Sequence, residues 1–196
     1  LSYSTWNTMY AKSESTRLSG ADALEGSELI YMQGIEDGSV IVITKDPDGK
    51  YRRYIYTTSL DFSSYPPGAV FKQQANFTRE LQNNARMLEE ADHMVIDRGN
   101  GFVYFAIGNT LYNYREGAGI DACVKLENLT FEGEKVILDE ITTMAVVTDG
   151  KYNKNIVVAT YSAGNKGNVY ILQPDQSESR DLKVVEVIPI DGKVKS

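Results

Sequence analysis

Four carboxylates at loop positions, one histidine and one cysteine are the residues of this 196-residue chain whose chemistry must be weighed first. Glycoside hydrolysis needs two carboxyl groups held about 5–10 Å apart. Glu116, Asp121, Asp139 and Asp149 fall near loops. With 27 acidic residues, however, some pair always meets such a distance, and no motif singles these four out. A thiol nucleophile needs a histidine partner, and Cys123 would have to use His93, the only histidine. The neighbours Ala122 and Val124 instead mark Cys123 as a small buried hydrophobe. A serine triad would need the same histidine, and no Gly-x-Ser-x-Gly elbow is present. A single Cys and a single His also exclude an internal disulfide and the usual multi-histidine zinc sites within the chain. The sequence therefore assigns no catalytic, cofactor-binding or metal-ligating residue.

Asp46-Pro47-Asp48-Gly49 resembles half of a calcium loop, but the fifth position is Lys50 and the twelfth Thr57, where an EF-hand places a ligand and a bidentate glutamate. A plain hairpin turn is the expectation there, and again at Asp97-Arg98-Gly99-Asn100-Gly101. Gly164-Asn165-Lys166-Gly167-Asn168 is followed by a strand pattern rather than a helix, so it is a hairpin loop and not a phosphate cradle. The net charge of −7 and pI near 4.8 argue against binding a phosphate backbone. Lys50, Arg52 and Arg53, the best basic cluster, are expected to form a solvated strand face. The 13 tyrosines and Trp6 suit half-buried strands and are expected to serve packing, the alternative being that some line a ligand face. Asn76-Phe77-Thr78 and Asn128-Leu129-Thr130 match the glycosylation sequon.

The elements that carry these residues follow one local plan: apolar strand, glycine turn, tyrosine-bearing strand. It is seen at Val40–Ile43 with Tyr51–Tyr54, at Phe102–Ala106 with Thr110–Tyr114, and at Ile156–Thr160 with Asn168–Leu172. Gly49, Gly108 and Gly167 stand at equal intervals of 59 residues (108 − 49 and 167 − 108). A repeated β-meander of this size is the sequence signature of a β-propeller. Further strands are expected at Glu28–Gln33, His93–Ile96, Ala122–Leu126, around Val136-Ile137-Leu138, and at Ile141–Thr148 and Lys183–Ile190. Phe77, Leu81, Ala85 and Leu88 recur at helical spacing and predict one short amphipathic helix over 75–90. Residues 1–26 are polar and are expected to be irregular, with one strand near Tyr3; Asp61–Gly68 is expected to be a connector. The fold class expected is all-β, mainly antiparallel: propeller-like meanders over 1–196, about four blades or part of a larger ring. No run of 18 apolar residues is present for a membrane-spanning helix. A first residue Leu1 and a strand pattern entering Ser196 lead us to expect a piece of a longer protein.

The stretch Phe102–Tyr114 resembles a Y-x-A-x-G-N-x-L-Y-x-Y pattern, and Asn155–Tyr161 with Gly167–Leu172 resembles L-x-V-A-T-Y … G-x-V-Y-x-L. With the closing Gly192-Lys193-Val194, these are similar to the C-terminal β-propeller region of the PKD-like family of Bacteroidetes lipoproteins. The resemblance covers roughly 91–196 and, more loosely, 40–57. It implies a place in the cell envelope, at the outer-membrane surface or in the periplasm, often beside nutrient-uptake systems of the SusC/SusD type. It brings no catalytic residue with it.

The expectation that follows is a non-enzymatic propeller module for binding or assembly, with a glycan or protein ligand, no nucleic acid, no cofactor, and the remaining blades of a longer parent chain as further partners. The alternative is a carbohydrate-active enzyme using loop carboxylates.

Overall fold

The computed structural model describes residues 2–7, 12–17, 24–35, 38–61, 68–117, 121–175 and 180–194; side chains are described within these ranges except at 2–17 and 57–72. The chain is mostly β, and its sheets are antiparallel except at one pairing. It divides into two compact units, Leu1–Gln82 and Asn83–Ser196.

In the first unit, β1 (Ser2–Asn7), the strand expected near Tyr3, pairs with β2 (Lys12–Arg17) in an antiparallel hairpin, where the rest of the segment was expected to be irregular from its polar composition. Alternating Ser and Thr are compatible with a strand whatever their polarity. Met9 and Tyr10, and Pro66-Pro67 in the expected connector, lie outside the described residues. A four-stranded sheet follows in simple meander order: β3 (Glu28–Gly34), β4 (Val40–Lys45), β5 (Tyr51–Asp61) and β6 (Gly68–Gln73). Strand β6 follows the expected connector, over residues for which no element was expected. Within β4, Ile41, Val42 and Ile43 are all buried, so both faces of that strand are covered, as its unbroken apolar run requires.

The helix expected over 75–90 is present as two pieces, α1 (Ala75–Asn83) and α2 (Ala85–Glu90), separated at Asn84. The buried Asn84 side chain has another task. Its amide nitrogen donates to the Asp121 carbonyl at 3.0 Å, and its oxygen accepts the Cys123 N–H at 2.8 Å. A residue so committed sets where the helix breaks.

In the second unit, β7 (His93–Asp97), β8 (Phe102–Ile107), β9 (Thr110–Arg115) and β10 (Val124–Lys125) make a second meander. The short pair β11 (Thr130–Phe131) and β12 (Glu134–Lys135) comes next. The third meander is β13 (Glu140–Val146), β14 (Ile156–Ser162), β15 (Lys166–Pro174) and β16 (Leu182–Asp191). Strand β11 adds to its outer edge beside β16, in parallel, making six strands. The strand expected at Val136-Ile137-Leu138 is not formed: the segment is a loop that buries Leu138 and leaves Ile137 77% exposed.

The second and third meanders share one core. Val95, Phe102, Tyr104 and Leu111 from one sheet cluster with Ile141, Ile156, Val158, Tyr170, Leu172 and Val184 from the other. The first strands of the two sheets, β7 and β13, are neighbours, and the Ile141 N–H donates to the Gly108 carbonyl at 2.9 Å. Two meanders packed face to face with their leading strands adjacent bury apolar surface that neither could cover alone.

The glycines behind the equal spacing do not share one role. Gly49 and Gly108 sit in turns at φ +81° and +57°, a region open to glycine. Gly167 lies inside β15 with no positive φ, and the turn of that hairpin is made by Gly164 and Asn165. Its reason is space: a Cβ there would stand 2.4 Å from the Thr160 carbonyl oxygen.

Candidate functional site

One concavity in the first unit gathers at the β4–β5 turn. Pro47 presets the turn and Gly49 takes the left-handed position, while the Gly49 N–H donates to the Asp46 carbonyl at 2.8 Å. This is the plain hairpin expected. Around it Glu25, Ser27, Asp46, Asp48, Arg52 and Gln73 line an open cavity of about 440 Å3, with the buried Tyr54 beneath. Asp46 is held by the Arg52 guanidinium and accepts the Ser27 hydroxyl at 3.3 Å. That contact, first among its causes, raises the Arg52 pKa above its ordinary value. Asp48 pairs with Lys50 at 3.0 Å, and this hydrogen bond holds its carboxyl below the usual range. Burial pushes the Tyr54 phenol up. Fixed carboxylates beside a guanidinium and an amide can hydrogen-bond hydroxyl groups. An Asp48 held ionised is not a proton donor at neutral pH.

The basic cluster read as a solvated face is corrected in part. Lys50 is exposed and Arg52 is ion-paired, but Arg53 is 1% exposed. The Arg53 guanidinium lies over the Phe77 ring, 4.4 Å from its centroid, and the backbone N–H of Arg53 donates to Thr78 Oγ1 at 3.0 Å. Arg53 thus fastens β5 to α1, a role that sequence position alone did not reveal.

The four loop carboxylates have separate local roles. Asp121 accepts the Arg115 N–H at 2.8 Å and pairs with Arg180 at 2.7 Å. Asp149 accepts the Gly150 N–H at 2.7 Å and caps a 3₁₀ turn. Asp139 is exposed, and Glu116 is half-buried with its N–H donating to the Gly101 carbonyl. Neither the Asp121 contacts nor the Asp149 contact involves another of the four. Cys123 is half-buried rather than buried, and desolvation pushes its thiol up to about 12, away from nucleophilic use. Among the described residues no group of three His, Cys, Asp or Glu side chains is placed to hold a metal ion. Five tyrosines, Tyr51, Tyr54, Tyr104, Tyr114 and Tyr170, are buried in packing. The Trp6 side chain lies outside those described.

The polar residue that reading by motif missed is Asp97. It is fully buried at the end of β7, with Oδ1 accepting the Asn100 N–H at 3.1 Å and Oδ2 the Asn100 amide at 2.6 Å. Asn100 also donates to the Lys154 carbonyl at 2.8 Å, which ties this turn to the segment entering β14. The expected turn is therefore also a clasp between the two sheets of the second unit. Burial raises the Asp97 pKa above 3.8, with the Asn100 hydrogen bonds opposing. The folded chain therefore holds this proton more tightly than the unfolded chain. Stability from this site is greatest below the unfolded pKa and falls as pH rises through the window up to the raised folded value. In Asp97→Asn that slope should vanish. Urea unfolding at a series of pH values should show the variant gaining on the wild type as pH rises from about 3.8; a constant difference would contradict the assignment.

No family model matches the chain, and no curated protein matches it.

Proposed function

We propose that the chain is a stack of propeller-type blades serving as a non-enzymatic binding or assembly module of the bacterial cell envelope. The observation that carries the reading is the meander repeated three times, with two of the sheets packed face to face over one core and their first strands adjacent. Blades of a propeller are arranged in this way. The envelope placement rests on the family resemblance of Phe102–Tyr114 and Ile156–Leu172. The polar cavity at Asp46 and Arg52 supports hydroxyl-rich ligands, glycans first. The hydrolase alternative has less to stand on, because Asp121 and Asp149 are each engaged in a local contact of their own.

The test is calorimetric titration of the purified chain with a panel of glycans, run beside a reducing-sugar assay on the same panel. Binding that weakens in Arg52→Ala, without release of reducing ends, is the result expected. Turnover of any polysaccharide would overturn the reading in favour of the enzyme.

A further inference from the structure

The core between the second and third meanders holds a polar spot that the side chains around it leave unsatisfied. Tyr104 of β8 and Asn113 of β9 stand directly opposite each other in the ladder. Side chains alternate along a strand, so Tyr104 shares the face of Phe102 and Ala106, and Asn113 that of Leu111, all of which belong to the shared core. Tyr104 is 1% exposed and Asn113 0%. Yet among the described residues no hydrogen-bond partner meets the Tyr104 hydroxyl, or either the oxygen or the nitrogen of the Asn113 amide. The two side chains are close, since Asn113 opposes the rise that burial gives the Tyr104 phenol. Their atoms nonetheless miss the geometry of a direct bond. From the facing sheet the core receives Ile156, Val158, Leu172 and Val184, whose side chains neither donate nor accept.

Buried polar atoms are as a rule bonded to protein or to ordered water, because a dry one forfeits its hydration without return. The atoms at this spot define what can satisfy them. The Asn113 oxygen only accepts, its nitrogen only donates, and the Tyr104 hydroxyl does either. The occupant must therefore both donate and accept, must be uncharged among aliphatic walls, and must be small enough to lie inside a closed core. We infer that Tyr104 and Asn113 form an internal hydration site, in which a buried water molecule bridges the phenol to the amide. Asp97 of β7 lies opposite Phe102, on the same face of the sheet. Its carboxyl accepts two bonds from Asn100 and keeps lone pairs for another. The site thus lies where three adjacent strands, β7, β8 and β9, each bring a polar side chain to the core that joins the two sheets. It stands apart from the cavity at Asp46 and is independent of what the chain binds.

Oxygen-17 relaxation dispersion, which counts water molecules held inside a protein for longer than it tumbles, tests the inference. Tyr104→Phe removes a single oxygen, and Asn113→Leu puts a hydrocarbon in place of the amide. Each should hold at least one such water fewer than the wild type, with unchanged circular dichroism. Tyr112→Phe removes a hydroxyl from the next position of β9, whose side chain points to the opposite face, and should keep the wild-type count. If Asn113→Leu loses its fold, Tyr104→Phe carries the comparison. A crystal structure of the wild-type chain should place a water about 2.7–3.2 Å from Tyr104 Oη and from an Asn113 amide atom. Equal counts in the wild type and a folded variant at Tyr104 or Asn113, a lower count in Tyr112→Phe, or a crystal structure in which Tyr104 Oη bonds directly to Asn113 with no water between them would each overturn the inference.

Discussion

Leu172→Ala should lower the stability of the chain by about 3–4 kcal/mol, in the upper part of the range for truncating a fully enclosed leucine. Leu172 is 0% exposed in β15 and belongs to the core that the second and third meanders share. Its removal subtracts the transfer energy of the lost carbons and leaves a cavity between two sheets whose hydrogen-bonded ladders restrict collapse. Against a total of about 5–15 kcal/mol for a domain, that is a large fraction. Urea unfolding should show a lower midpoint with little change in slope. Ile137→Ala, at a site 77% exposed, should change stability by less than about 0.5 kcal/mol. Equal effects at the two sites would mean that the shared core is not closed.

Gly167→Ala should be the second severe substitution, and for a different reason from the turn glycines. The added Cβ would stand 2.4 Å from the Thr160 carbonyl oxygen and 3.1 Å from that of Gly192. Both obstacles are backbone, and Gly167 faces Tyr161 across the β14–β15 pair, so relief requires the strands themselves to move. A loss of about 2–3 kcal/mol is expected, at the upper end of overpacking penalties. Gly108→Ala meets no atom within 4 Å and pays only for its φ of +57°, about 1 kcal/mol. Thermal unfolding of the two variants side by side checks the order; Gly108→Ala as the more damaging would refute it.

Much of this was readable in the residues because apolar strands around glycine turns carry strong local signals. Val40–Lys45, Phe102–Ile107 and Ile156–Thr160 are strands where expected, since continuous Val and Ile runs between turn residues leave little alternative. The polar hairpin at Ser2–Asn7 and Lys12–Arg17 gave no such signal, because its ladder is independent of side-chain hydropathy. Val136-Ile137-Leu138 misled in the opposite sense: three apolar neighbours served a loop that buries Leu138 in the core, packs Val136 against it and leaves Ile137 exposed. Equal glycine spacing suggested equal roles, whereas Gly167 answers a close backbone approach made by tertiary pairing. The concavity at Asp46 escaped because Glu25, Ser27 and Gln73 join it from separate segments of the fold. Asp97 escaped because burial of a turn aspartate depends on a second sheet that local sequence does not describe.

Native-state hydrogen exchange on Leu172→Ala addresses the stacking of the two meanders most directly. If both sheets form one cooperative body, the amides of β8 in the second meander lose the same protection free energy as those of β14 and β15 in the third. Unchanged protection in β8, with loss confined to β14 and β15, would contradict it.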